Sequence, residues 1–312
     1  MTPDPSLAAL SDTLFTVAVG LYSLALVAFC AQLAFGRRPA RQLVAAGSAE
    51  LPAAEASVSR DEPEPEPVRR WGVVALALTM LGAAAHVGVL VARGLATDRL
   101  PWGNMYEFST AAVLVGVLAY LVFAVRTPGL RHMGLFVIGP VVLAMVGIGL
   151  FLYADAGPLV AALRSRWLAV HVTTAILGMG MFFVSGITSV LYLLRSRAGA
   201  ETGGLVSRLP SSAALDRVAH RTAVFGFPIW TFAVMAGAIW AESAWGRFWG
   251  WDPKETWAFI AWVVYAAYLH ARTTAGWRGR PAAWINVVGL VVMIFNLLYV
   301  NYVSTGLHSY AG

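Results

Sequence analysis

The chain has 312 residues, of which 59% are apolar and only 12% are charged, and this composition indicates a polytopic membrane protein rather than a soluble domain. Its net charge of +6 is carried almost wholly by arginine. We attribute this charge to cytoplasmic loops and expect no nucleic-acid binding, because the sequence offers no soluble basic domain.

Eight apolar segments approach the length of roughly 20 residues that a helix needs to cross a bilayer. They lie at 13–35, 71–93, 106–125, 133–153, 167–194, 222–241, 257–271 and 283–303. The first is taken as a retained span, because Asp4 and Asp12 stand where a secretory signal carries positive charge. The expected fold class is therefore all-α, a polytopic transmembrane helical bundle.

The chain divides into three predicted regions, which are an N-terminal transmembrane helix (1–35), a cytoplasmic Glu/Pro-rich linker (36–70) and a transmembrane domain (71–312). Glu and Pro alternate up to residue 67, and such a run cannot pack a core, so the linker should be extended or disordered. Most arginines fall in one set of loops. The positive-inside rule then puts both termini, and the loop 242–257, on the outer side of the membrane.

The single cysteine, Cys30, lies within the first apolar segment. An internal disulfide, a Cys-x-x-Cys redox pair and a covalent haem-attachment motif are therefore excluded within this sequence. Any thiol chemistry must come from another molecule.

A tryptophan-rich stretch between spans six and seven holds the most distinctive residues. It reads W-G-R-F-W-G-W-D-P-K-E-T-W and includes Trp245, Trp249, Trp251 and Trp257. Tryptophan alone indicates no more than an anchor at the membrane interface. However, Asp252-Pro253-Lys254-Glu255 has the order of a helix start, with an N-cap, a proline in the first turn and a capping-box glutamate. The stretch therefore predicts an aromatic loop that leads into a fixed helix N-terminus.

Two histidines are predicted on the same outer face as this loop. His171 lies near the start of span five, and His308 follows span eight. Two neutral imidazoles can ligate haem iron, aromatic rings can pack on a porphyrin, and Arg247 and Lys254 can pair with the propionates. The alternative is that His171 makes an interhelical hydrogen bond and His308 is solvated.

Four further histidines fall elsewhere. His86 and His270 lie inside apolar spans, where an imidazole needs a partner and small residues one turn away either leave room for a macrocycle or mark close helix packing. Their predicted depths differ, so one haem would join them only across tilted helices, and His270 can instead pair with a histidine of another subunit. His132 and His220 are interpreted as solvated loop residues.

Three motifs together resemble the cytochrome c assembly family of haem-handling proteins. The pattern W-G-x-x-W-x-W-D-x-x-E at 245–255 is similar to its WWD signature, and P-W-G-N-M-Y-E at 101–107 and G-L-H-S-Y at 306–310 also fit. The resemblance covers roughly residues 71–312 and is greatest to the CcsA/ResC-type subunit of the system II cytochrome c synthase.

The resemblance implies haem b as ligand, held on the outer side by His171 and His308. It implies an internal haem site at His270, with His86 or a residue of another subunit opposite. The remaining haem-contacting positions that it suggests are Trp245, Trp249, Trp251, Asp252, Trp257, Arg247 and Lys254. Implied partners are a CcsB/ResB-type membrane subunit, apocytochrome c, thiol-reducing proteins and the lipid bilayer, in a bacterial plasma membrane. The implied activity is that of a cytochrome c haem lyase.

Other functions remain open at this stage. A bis-histidine electron-transfer membrane cytochrome would be reduced rapidly by quinol. A haem exporter without ligation activity would yield no covalently attached haem when produced with an apocytochrome c. A membrane scaffold would bind no haem.

Overall fold

The described part of the chain is helical between its loops. The computed structural model describes residues 3–35, 66–126, 131, 133–158, 165–198, 206, 209–274 and 277–308. Within these ranges lie eight α-helices, which are α1 (Pro5–Phe35), α2 (Glu66–Thr97), α3 (Met105–Arg126), α4 (Gly134–Gly147), α5 (Arg166–Arg197), α6 (Ser212–Trp245), α7 (Pro253–Thr273) and α8 (Arg280–Tyr302). A π-helical turn, Ile148–Leu152, continues α4. The all-α expectation is confirmed.

Each predicted apolar segment corresponds to one helix, and seven of the eight helices are long and apolar enough to cross a membrane. The exception is α7, which has 21 residues and is long enough, but begins with Lys254 and Glu255 and contains several tyrosines and tryptophans. These polar groups lower its hydropathy. By length and composition the chain is a multi-pass membrane protein.

Two boundaries of the predicted regions differ from the helix ends in the structure. The linker was expected to end at residue 70, but α2 begins at Glu66, since the first turn of a helix tolerates Pro67 and gains from an acidic side chain. The part of that linker from 36 to 65 lies outside the described residues. The outer loop was expected to span 242–257, but α6 continues to Trp245 and α7 starts at Pro253, so the irregular segment is only 246–252.

The helices form two groups of four. The first group, α1–α4, packs around Tyr22 and Ile138. The second group, α5–α8, packs around Phe182 and Tyr265, whose ring centroids are 3.5 Å apart. A smaller cluster that includes Trp240 joins α3, α5 and α6 and so connects the two groups. Close side-chain packing of this kind is the main attraction between helices in lipid.

The first helix packs tightly against the second. A side chain at Gly82 of α2 would approach within 2.7 Å of the Tyr22 ring, so the absence of a side chain lets the two helices meet. The Tyr22 hydroxyl lies 3.3 Å from Nδ1 of His86, and Asp12 lies 3.5 Å from Arg93. Helix α1 is therefore an integral part of the bundle.

One end of the bundle gathers the functional loops. The Asp4 N–H at the start of α1 donates to the Ala96 carbonyl at the end of α2 (2.8 Å). The Leu307 N–H, beyond α8, donates to Asp252 at the start of α7 (2.8 Å). The starts of α3 and α5 and the end of α6 lie at the same end, which we call the site end.

Candidate functional site

Two adjoining cavities of about 100 and 110 Å³ lie at the site end among α3, α5, α6, α7 and α8. Both are lined by Phe108, His171, Lys254 and His308. The two histidines that were predicted on one face therefore meet around a shared space. We call the two cavities together the histidine cavity.

His171 lies near the start of α5, and its orientation is set by the neighbouring helix α6. Its Nδ1 is 2.8 Å from the Ala233 carbonyl, which can only accept, so Nδ1 carries the hydrogen. The ring stacks on Trp240 at an interplanar angle of 10°. The neutral imidazole is thereby held with the lone pair on Nε2, the nitrogen available to a ligand.

His308 is held in the same tautomer by a carboxylate. Its Nδ1 lies 2.8 Å from Oδ2 of Asp252. The imidazole ring also makes edge contacts with Trp240 and Trp245, with centroid distances of 5.6 and 4.8 Å. A carboxylate that accepts from the far nitrogen of a histidine is the usual way in which proteins orient a metal-ligating imidazole.

Asp252 is kept ionised by the groups that donate to it. Burial acts to raise the pKa of this carboxyl, but hydrogen bonds from His308 and from the backbone N–H groups of Leu307 and Lys254 outweigh burial and hold the pKa below its usual value. Asp252 also caps α7, accepting from the Lys254 N–H at 3.2 Å. One side chain therefore fixes both the helix start and the second histidine.

The loop between α6 and α7 is shaped by two residues of positive φ and by the capping box. Gly246 ends α6 with φ of 70°, and Trp251 has φ of 57°, which is costly for a residue with a bulky side chain. Glu255 accepts from the N–H groups of Gly250 (2.8 Å) and Asp252 (3.1 Å), which completes the predicted capping box. The helix-start prediction is confirmed.

A second loop of similar construction forms another part of the cavity wall, and its residues are not among the predicted site residues. Trp102 lines the histidine cavity, and Asn104 accepts from the Glu107 N–H at the start of α3 (2.9 Å). Glu107 in turn accepts from the Gly103 N–H (2.6 Å) and from Arg99 (2.7 and 3.0 Å). The sequence pattern that could have predicted this loop is Trp–Gly–Asn–x–x–Glu at 102–107. As in Trp–Asp–Pro–Lys–Glu at 251–255, a polar residue stands three positions before a glutamate.

A polar group of side chains lines the cavity beside α8, and it includes another residue that was not singled out. The Lys254 ammonium donates to the backbone carbonyl of Asn296 (2.8 Å). The Asn296 amide, 1% exposed, has no hydrogen-bond partner within the described residues at either its nitrogen or its oxygen, and the same holds for Oε1 of Glu255. Buried polar atoms without partners are costly, so these groups suit a polar ligand atom.

The donor set fits haem, although the space is small. Two Nε2 lone pairs, flat indole faces and the partly buried Lys254 side chain are present together. The cavity volumes are well below the ~300 Å³ at which sites begin to enclose a whole small molecule. The histidine cavity therefore has room for an edge of a macrocycle rather than for all of it.

Several predicted site residues lie away from the cavity lining. Trp251 is 65% exposed and packs against Trp249 and Phe259, while Trp257 packs on Phe295 of α8 at 4.3 Å between ring centroids. The Arg247 guanidinium folds against Gly250. Of the predicted aromatic residues, Trp249 lines the cavity and Trp245 supports His308.

The remaining histidines have different environments. His86 is fully buried, with the Tyr22 hydroxyl on Nδ1 and the Thr110 carbonyl 2.9 Å from Nε2, so both nitrogens already have protein partners. His270 is exposed near the opposite end of α7. The loop prediction for His220 is wrong, because this residue is half-buried within α6 and packs on Tyr268. His132 lies outside the described residues.

The sequence comparisons agree with the motifs. The family model described as cytochrome C assembly protein matches residues 102–308. A protein named cytochrome c biogenesis protein CcsA from Gloeobacter violaceus is 34% identical, covering 72% of this chain and 82% of the relative. Proteins of the same name from Guillardia theta and Chlamydomonas reinhardtii are 35% and 34% identical, covering 74% and 76% of this chain and 83% and 69% of those relatives.

The family match begins at Trp102 in one wall of the histidine cavity and ends at His308, and so includes both loops and both histidines. Together with the three relatives, it shows that the chain belongs to the cytochrome c assembly protein family.

Proposed function

We propose that this chain takes part in cytochrome c biogenesis by binding haem b in the histidine cavity and presenting it for attachment to apocytochrome c. The observation that carries the proposal is the pair His171 and His308, each with Nδ1 committed to a protein acceptor and Nε2 free beside the same space. Family membership supports the role in cytochrome c assembly.

The residues around the two imidazoles have distinct tasks in this proposal. Asp252 and the Ala233 carbonyl fix the tautomers, so neither imidazole must reorganise when it binds iron. Trp249 and Trp102 offer flat surfaces to the macrocycle. Lys254 and the Asn296 amide supply donors for a propionate, which would satisfy atoms that otherwise lack partners.

The bond-forming chemistry is the addition of a thiol across a vinyl group, in which sulfur bonds to carbon and the thiol hydrogen goes to the neighbouring carbon. The two thiols belong to the Cys-x-x-Cys-His motif of the apocytochrome. Cys30 cannot supply them, since it is an exposed residue of α1, a helix that does not line the histidine cavity. This chain therefore acts by holding and orienting haem, and the gain in rate comes from proximity. Thiol-reducing proteins keep the incoming cysteines reduced.

The proposal includes a partner and a location. His270 faces outward from α7, which suits a second haem shared with a CcsB/ResB-type membrane subunit. His86 is a poorer candidate because both of its ring nitrogens are occupied. The excess of arginine in the opposite loops supports a bacterial plasma membrane with the site end on the extracytoplasmic side.

The test is the absorption spectrum of the purified protein after haem loading. His171→Ala and His308→Ala should each remove or shift the Soret band, because each deletes one axial ligand. His220→Ala is the matched control, since its imidazole lies in α6 and does not line the cavity. If both ligand variants keep the wild-type haem content and spectrum, the assignment is wrong.

A second arm tests the reaction itself. The chain and its partner subunit are produced with an apocytochrome c, and covalently attached haem is measured after denaturation. Haem exported without attachment, or haem reduced by quinol with no attached product, would favour the exporter or the electron-transfer cytochrome instead.

A further inference from the structure

A third cavity in the described part of the chain is separate from the histidine cavity. It has a volume of about 500 Å³ and lies among α3, α4 with its π-helical turn, α5 and α8. Neighbouring residues divide the two spaces. Phe108 and Met179 line the histidine cavity, while Ser109 and Gly180, the next residues on the same helices, line the larger one. We call the larger space the apolar cleft.

The cleft is elongated along the helix axes. On α3 its lining runs from Ser109, one turn below the site end, to Phe123, near the other end of the helix. At ~1.5 Å per residue this stretch is ~21 Å long. The hydrocarbon of one bilayer leaflet is ~15 Å deep, half of a ~30 Å core, so the cleft is long enough for one lipid chain along its full length.

Among the described residues the lining is apolar except for a few hydroxyl groups, and it contains no histidine and no charged side chain. The Thr188 hydroxyl donates to the Val184 carbonyl (2.6 Å), and the Tyr120 hydroxyl donates to the Arg131 carbonyl (2.8 Å). Ser109 differs, because its hydroxyl is buried, with 4% of the residue exposed, and has no hydrogen-bond partner within the described residues. An occupant with an acceptor at this end would remove the cost of that unpaired donor.

We propose that the apolar cleft binds one acyl chain of an ester-linked membrane lipid, with the ester carbonyl accepting from Ser109 and the hydrocarbon running toward Phe123. The ester of an outer-side lipid lies at the depth of Ser109, one turn below the site end. The described lining does not suit haem, because these residues offer no imidazole for iron and no cation for the propionates. The proposal does not depend on the haem function.

A bound chain would also complete the structure around the histidine cavity. Ser109 and Gly180, which line the cleft, directly follow Phe108 and Met179 of the histidine cavity on the same helices, so a bound lipid chain would pack against the residues next to them. An empty space of this size beside them would lack the packing contacts that hold side chains in place.

Two glycines of the cleft lining can be replaced by larger residues to fill the cleft without a clash at the new β-carbon. A β-carbon at Gly116 of α3 or Gly147 of α4 would have no neighbouring atom within 4 Å, and both glycines line the cleft, so a leucine at either position has room to extend into it. Gly20 of α1 is the matched control, because it is equally unobstructed and does not line the cleft. Replacing glycine within a helix also favours the helical state, so loss of folding is not expected.

The experiment measures lipid retained by the full-length chain. Wild type, Gly116→Leu, Gly147→Leu, Ser109→Ala and Gly20→Leu are purified, washed in delipidating detergent, and extracted for quantitation of ester lipids by mass spectrometry. Wild type and Gly20→Leu should retain about one lipid per chain. The two cleft-filling variants should lose it, and Ser109→Ala should retain the lipid about fivefold more weakly, the effect of one hydrogen bond.

Several outcomes would overturn the proposal. These are wild type without retained lipid, equal retention by the leucine variants, or an isoprenoid or porphyrin in place of the ester lipid. Thermal unfolding of each variant identifies misfolding. Should one leucine variant misfold, the other and Ser109→Ala still decide the result.

Discussion

His171 can adopt its orientation because the facing residue on α6 has no side chain. A β-carbon at Gly237 would lie 2.7 Å from Cε1 and 2.8 Å from Nδ1 of the imidazole, which is closer than real β-carbons approach other atoms. The close approach also brings Nδ1 to the Ala233 carbonyl. Gly237 is therefore a residue on which the geometry of the first histidine depends.

We expect Gly237→Ala to displace His171 and break its hydrogen bond to Ala233. Loss of such an orienting contact weakens metal binding by roughly 10–100-fold. The helix itself should not suffer, since alanine exceeds glycine in helix propensity by ~1 kcal/mol. Haem affinity is measured by titration of the Soret absorbance, together with the midpoint of thermal unfolding.

Gly20→Ala provides the comparison for this variant, because a β-carbon there has no neighbour within 4 Å. It should bind haem like the wild type. Unchanged haem affinity in Gly237→Ala would show that the cavity tolerates the methyl group and that His171 is not fixed by this contact.

Single residues show which parts of the site the sequence could predict. His171, His308 and Lys254 were predictable because each stands at a recognisable helix end near the tryptophan-rich loop. The hydrogen bond between Asp252 and His308 could not be predicted, since it depends on how the start of α7 meets the segment after α8. Asn296 could not be predicted as a site residue, because an asparagine in an apolar helix more often makes a hydrogen bond to a neighbouring helix than binds a ligand.

At the scale of elements, α3 and α7 begin in the same way at different parts of the wall of the histidine cavity. Each has a polar N-cap, Asn104 or Asp252, followed three residues later by a glutamate that accepts from loop N–H groups. The difference lies in charge. Glu107 is fully buried against Arg99 and Arg93, while Glu255 accepts only from backbone.

This difference gives a paired prediction. Glu107→Gln should destabilise the protein strongly, because the largely buried Arg99 loses its carboxylate partner and the buried Arg93 loses one of its two, keeping Asp12 at 3.5 Å. Breaking a buried ion pair costs about 3–5 kcal/mol in the free energy of unfolding. Glu255→Gln should cost about 1 kcal/mol, since the amide oxygen still accepts from the loop. Unfolding in detergent measures both, and equal losses would contradict the assigned roles.

Helix positions were predictable, and so were some of the helix ends. Hydropathy located all eight helices, because a bilayer requires long apolar segments. Hydropathy missed other ends: α2 begins five residues before the predicted span, and α6 extends past its predicted end to Trp245. Helix ends beyond the hydrocarbon are set by capping and tertiary contacts rather than by hydropathy. The end of α1 at Phe35 and both ends of α3 agree with the predicted spans to within one residue, and the explicit capping residues Asp252–Pro253 correctly predicted the start of α7.

At the scale of the molecule, hydropathy cannot say which helices are neighbours. The sequence set residues 1–35 apart from the remaining domain, whereas α1 shares one core with α2, α3 and α4. The contacts responsible are Gly82 against the Tyr22 ring and the Asp12–Arg93 ion pair, which join positions far apart in the chain. Such pairs leave no local pattern.

These contacts predict that α1 stays bound without its covalent connection. A protease site is inserted between residues 36 and 65, and the purified protein is cleaved and passed through size exclusion. The α1 fragment should co-elute with the remaining chain, and haem binding should persist, because the histidine cavity uses only α3 and α5–α8. Gly82→Leu, which drives a side chain into Tyr22, should release the fragment. Dissociation of the wild-type fragment would instead mean that the connection, rather than helix packing, holds α1 in place.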